Sequence, residues 1–125
     1  MTAIATAARG TLATALANTG GTVHAVAPAI PTPPCVVIAA DNPWMTPGTV
    51  GGALRNKLHF KIIVVVMDRD NTTALAEIEE HTEAVLTALK GVSTFREVTP
   101  PAATDIGAQG SVLVSEVHIT INVKE

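Results

Sequence analysis

The sequence predicts an α+β fold: a mostly antiparallel sheet of four or five strands with two helices packed on it. Three segments carry this expectation. In 111–123, Leu113, Ser115, Val117, Ile119, Ile121 and Val123 fall on one side, and Glu116, His118, Thr120 and Asn122 on the other. Segment 57–67 starts the same way, with Leu58, Phe60, Ile62, Val64 and Val66 set against Lys57, His59 and Lys61. Alternation at period two is the mark of a strand with one buried face. Between them, Leu75, Ile78, Thr82, Val85, Leu86 and Leu89 recur at helical spacing, with Glu77, Glu79, Glu80 and Glu83 outside the stripe. Helices laid on one side of such a sheet bury its apolar face.

Taken in order, residues 3–18 read as a helix with Ile4, Ala8, Leu12, Ala15 and Leu16 on one stripe, ended by Gly20-Gly21. Residues 22–27 are a short strand. Pro28, Pro31, Pro33 and Pro34 then make a stiff extended connector, because proline fixes φ and has no N–H. Segment 35–40 is a compact strand, and Cys35 within it reads as a small hydrophobe. Segment 41–56, with Pro43, Pro47, Gly48, Gly51 and Gly52, reads as the longest irregular stretch, and loops of that length carry function or are disordered. The strand 57–67 turns apolar on both faces from Ile63 onward, so it has to be covered there by a helix or by another chain. Asp70 or Asn71 caps the helix 72–89, and Gly91 stops it. Segment 94–98 is a short strand, 99–110 a second loop, and 112–123 the closing strand. With 125 residues and no internal repeat, this is one domain by size.

Bulk properties narrow the function classes. The net charge of −3 argues against sequence-independent gripping of nucleic acid. The single cysteine fits a reducing compartment. Arg9 and Gly10 interrupt the Ala-rich start, so neither a signal peptide nor a membrane partner is expected. The core is built from Ala, Val, Ile and Leu, with only two Phe, one Trp and no Tyr. Such small side chains each bury little, and the fold is expected to lean on neighbouring subunits.

No segment carries a strong catalytic signature. The stretch from Asp68 to Glu79 faintly follows calcium-loop spacing but has Thr73 where the sharp turn needs glycine, so it reads as a helix cap. The glycines between Gly48 and Gly52 lack the Gly-Lys-Ser/Thr of a phosphate loop. His24, His59, His81 and His118 lack metal spacing. If the two long strands are neighbours, His59 and His118 join a cross-strand polar set with Lys57, Lys61 and Glu116, including a Lys–Glu pair. No catalytic residue, metal or cofactor is expected. Trp44 beside Met45 stands apart: it either folds back over the core edge or anchors a partner, and the two are compatible in a subunit of an assembly.

In element order the chain resembles the siphophage tail terminators. The resemblance runs through the helix ending at Gly20-Gly21, the proline connector into Pro34-Cys35-Val36-Val37-Ile38, the Asp41-Asn42-Pro43-Trp44 segment and the long strand after it. It continues through Asp70 into Leu75-Ala76-Glu77-Ile78, the helix end Val85-Leu86-Thr87-Ala88-Leu89, and Gly110 before the last strand. The family often has tyrosine at Trp44 and an aromatic near Val112 and Leu113. The resemblance implies a structural virion protein of the head-proximal tail, assembled in the host cytoplasm. It implies a hexameric ring that caps the tail tube, stops its growth and docks the head-completion or connector protein, while DNA passes through the lumen without specific binding. On this expectation tube or neighbour contacts fall on Pro43, Trp44, Met45 and Pro47, and on Pro100, Pro101 and Ile106 of the second loop. The competing readings are another small head–tail connector and a ferredoxin-like ligand-binding module. An RNA-binding module would want exposed aromatics on the long strands, which they lack.

Overall fold

The computed structural model describes residues 4–17, 22–24, 34–50, 53–67, 71–105 and 111–124. The elements are α1 (Ile4–Leu16), β1 (Thr22–His24), β2 (Cys35–Val50), β3 (Ala53–Met67), α2 (Asn71–Leu89), β4 (Thr94–Val98), β5 (Ala102–Asp105) and β6 (Ser111–Lys124). The strands form one sheet in the order β1-β2-β3-β6-β4, with β5 also pairing β6. Every pairing is antiparallel except β1 with β2. The α+β class, the mostly antiparallel sheet and the two helices on it stand as expected. The described residues hold six strands; β5 is the one that the sequence reading missed.

β3 occupies the centre because it can bury both faces. Its even residues Leu58, Phe60, Ile62, Val64 and Val66 are all buried, and they share one cluster with Val36 and Ile38 of β2, Val117 and Ile119 of β6, and both helices. α1 contributes Ala8, Leu12 and Leu16 to that cluster, four residues apart and therefore on one face. α2 contributes Ile78, Val85 and Leu89, and Ala74 on the same stripe is also buried. Leu75, expected in the stripe, is instead 46% exposed. The small Ala74 faces inward in its place: the helix phase that buries Ile78, Val85 and Leu89 turns Leu75 outward.

The other face is divided. Towards one end Cys35, Val37, Val65 and Val112 are buried, with Ile63 and Val114 packed against them. Among the described residues no helix side chain belongs to this cluster, and Met67, at the end of the apolar half of β3, is 38% exposed. Cys35 is buried among these small apolar side chains, as read from the sequence.

Two termini differ from expectation. α2 ends at Leu89, whose carbonyl accepts from the backbone N–H groups of Val92 and Ser93, both at 3.1 Å, and from the Ser93 hydroxyl at 3.2 Å. Gly91 does not take the left-handed conformation expected of a glycine stop, so these three bonds close the helix. The segment read as a loop over 99–110 begins with a knot on β6. The Thr99 N–H donates to the Glu116 carbonyl at 2.8 Å, the Glu116 N–H donates to Thr99 Oγ1 at 2.9 Å, and the Ser115 hydroxyl donates to the Thr99 carbonyl at 2.7 Å. These bonds bridge the gap between the β4 and β5 ladders, so the chain turns a corner at Pro100-Pro101 and resumes pairing. The connector 28–33, Gly20-Gly21, Asp70 and residues 106–110 lie outside the described residues.

Candidate interaction surface

The segment expected as a long loop is the distal half of a hairpin. β2 and β3 pair from Cys35↔Val65 to Val50↔Ala53, and the outer part, Met45↔Leu58 to Val50↔Ala53, makes an arm. Six residues of strand span about 20 Å. β6 continues beside it, with Leu58↔Ile121, Lys57↔Asn122, Asn56↔Val123 and Arg55↔Lys124, so the arm is three-stranded at its base. Proline and glycine suggested a break here. In the arm β2 pairs on one side only among the described residues, and an edge strand accepts Pro47 because its missing N–H costs no ladder bond.

The register slips once. Pairing passes from Ala40↔Phe60 to Met45↔Leu58, so Asp41, Asn42, Pro43 and Trp44 together oppose His59. Extra residues on one strand bend it and re-aim its side chains. Trp44 emerges from this bulge 43% exposed, followed by Met45 at 37%. Trp44 thus leaves a large part of its side chain in solvent, whereas Phe60, on the neighbouring strand, is fully enclosed.

A charged cluster lies beneath the bulge on the face opposite the helices. Asp41 Oδ2 sits 2.5 Å from His118 Nδ1 and 3.2 Å from Arg96 Nη1. His118 Nε2 is 3.3 Å from Glu116 Oε1 and 4.0 Å from Glu97 Oε1. The expected Lys–Glu pair is present, with Lys61 Nζ 3.8 Å from Glu116 Oε2. His59 lies beside this set on the same face, hydrogen-bonded to Thr46 Oγ1 and Thr120 Oγ1, each at 3.0 Å. Among the described residues no group of three or more His, Cys, Asp or Glu is arranged to hold a metal ion. The Asp41–His118 pair has the form of an oriented base, but the far nitrogen of His118 faces carboxylates rather than a hydroxyl or thiol.

Burial pushes the Asp41 carboxyl up; the His118 hydrogen bond, the Asn42 backbone N–H at 2.8 Å and the charges of His118 and Arg96 outweigh it, and the net direction is down from 3.8. A folded state that favours the carboxylate gains stability above the unfolded value and loses it as pH falls through the folded one. Asp41→Asn should therefore cost stability near neutrality, on the order of 1–3 kcal/mol for hydrogen bonds to a charged group. The gap to the wild type should narrow as pH drops below about 4. Urea midpoints at neutral and acid pH measure both.

Of the residues singled out in the sequence, Trp44 and Met45 stand exposed on the bulge and arm. Pro43 and Pro47 lie in the β2 backbone, and their side chains, like the whole of Ile106, fall outside the described residues. Pro100 and Pro101 are exposed at the β4–β5 corner, where Pro101 lines a cleft with Ile78, Glu79, Thr82 and Glu83 of α2. That cleft adjoins the helix layer, whereas the Trp44 bulge leans on the opposite face, so the two expected contact sets do not form one site. Asp41, Arg96 and Glu97 were missed in the charged cluster, since only the strand order brings them to His118. The chain matches no known family model and no curated protein.

Proposed function

We propose that this chain is a structural subunit that works by contact, as one member of a ring of copies, in the manner of a siphophage tail terminator. The observation that carries the reading is the β2–β3 arm with Trp44 and Met45 exposed at its root. Tryptophan and methionine are enriched where proteins meet, and a projecting hairpin reaches a neighbour or a stacked ring without disturbing the core. Among the described residues the sheet also ends in two unlike edges, the outer side of β2 along the arm and the β4–β5 side, which suits head-to-tail contacts that close a ring. On this reading six copies cap the tail tube, stop its growth, and offer the head-completion or connector protein a docking surface. The net charge of −3 suits a lumen that lets DNA pass without gripping it. No chemistry is assigned to the chain. A different small head–tail connector would share these contacts and differ in the partner ring.

Light scattering with and without tail-tube protein tests the proposal. A mass of six times the 12.8 kDa chain, alone or on the tube, is the expected result. A strict monomer under both conditions would sink it, and a ring that binds another connector but ignores the tube would favour the alternative.

A further inference from the structure

The bulge carrying Trp44 has no ladder partners of its own, since Asp41 to Trp44 stand outside the β2–β3 register. Its described side-chain attachment to the sheet is the Asp41 carboxylate, which reaches His118 on β6 and Arg96 on β4. These strands are two and three places from β2 in the sheet. At about 4.8 Å per strand, β6 lies roughly 10 Å from β2, farther than an aspartate side chain reaches from its own strand. The extra residues of the bulge supply the difference. The chain leans over the open face, and the carboxylate pins it there.

His118 stands between carboxylates, with Asp41 at Nδ1 and Glu116 and Glu97 at Nε2. A neutral imidazole has one N–H and one lone pair, so either tautomer turns a lone pair towards a carboxylate. The imidazolium donates on both sides. The other charged or titratable groups here are Arg96 and Glu97 of β4, Glu116 of β6, Lys61 of β3 paired with Glu116, and His59 of β3 bonded to Thr46 and Thr120. Both helices pack on the opposite face. With His118 charged, the cations Arg96, Lys61 and His118 match the anions Asp41, Glu97 and Glu116; a neutral His118 leaves one negative charge unmatched.

We propose that Asp41, His118 and Arg96 form a proton-gated clasp that fixes the Trp44 bulge on the sheet, closed while His118 is charged and loosened when the ring loses its proton. The clasp is a property of the single chain. Its control of docking, through the placement of Trp44, rests on the ring-subunit reading above.

Trp44 is the only tryptophan and lies three residues from Asp41, so its emission reports the bulge. In the full chain, acrylamide quenching of Trp44 should be low at acid pH and rise as the pH is raised and His118 loses its proton. His118→Gln should be flat and strongly quenched throughout, and His59→Gln should keep the wild-type profile. Asp41→Asn should also be flat, which keeps the test open if His118→Gln does not fold by circular dichroism. A wild type without a pH-dependent change overturns the clasp, as does a pH-dependent change of Trp44 quenching in both His118→Gln and Asp41→Asn. Tube docking is measured separately: pH-dependent Trp44 quenching in a chain that never docks supports the clasp and overturns the ring reading alone.

Discussion

Phe60→Ala is expected to remove a large share of the stability of this chain. Phe60 is 1% exposed and is the largest of the fully buried side chains. It sits on the central strand between Ala40 of β2 and Ile119 of β6, on the face that both helices cover. The other buried members of its cluster are Leu, Ile, Val and Ala, with the partly buried Phe95 packed against it from β4, and none of the aliphatic side chains fills a ring-sized void. Truncating a buried Phe costs about 3–5 kcal/mol, the transfer free energy plus the cavity that remains. Domains of this kind have about 5–15 kcal/mol in all. The urea midpoint should fall steeply with an unchanged slope, because the surface exposed on unfolding stays nearly the same. Ile62→Val, on the same face one position along, should cost only about 0.5–1.5 kcal/mol. Equal effects from the two would mean that the core is not organised around the Phe60 ring.

The sheet was legible where one physical rule acts alone. In β3 and β6 alternation sets which side chains face the helices, and Leu58, Phe60, Ile62, Val64, Val66, Val117 and Ile119 are buried as the pattern requires. The Lys61–Glu116 pair follows from the same alternation once the two strands are neighbours. Reading failed where two rules compete. Pro47 and the nearby glycines outweighed everything else in 41–56, yet Pro47 and Gly48 stand in a strand that pairs on one side only there among the described residues, which tolerates both. Leu75 outranked Ala74 by hydrophobicity, but the helix phase that buries Ile78, Val85 and Leu89 buries Ala74 and turns Leu75 outward. The Asp41 and Arg96 part of the charged cluster was beyond any local rule. Asp41 lies 77 residues from His118 and 55 from Arg96, and only the order β2-β3-β6-β4 together with a four-residue bulge brings them into contact.

On the proposed ring-subunit function, Trp44→Ala should have the opposite profile to Phe60→Ala, a large loss of docking with little loss of stability. The ring is already 43% exposed in the single chain, so removing it opens no core cavity, and exposed substitutions usually stay within about 0.5 kcal/mol. At an interface the same ring would go from half-wet to dry against a partner, and central tryptophans cost about 2–4 kcal/mol when truncated. That corresponds to roughly a 30-fold or greater loss of affinity. Met45→Ala, beside it on the arm and similarly exposed, should cost less because a flexible thioether loses more rotamer freedom on being fixed. Point substitutions are the sharper probe here, because deleting 43–52 would strip β3 of its β2 partner from Ala53 to Leu58 and confuse unfolding with lost contact. Binding to assembled tail tubes, measured alongside the urea midpoint, separates the two quantities. If Trp44→Ala docks like the wild type while melting early, Trp44 belongs to the fold, and the contact surface must be sought at the Pro100-Pro101 corner on the opposite layer.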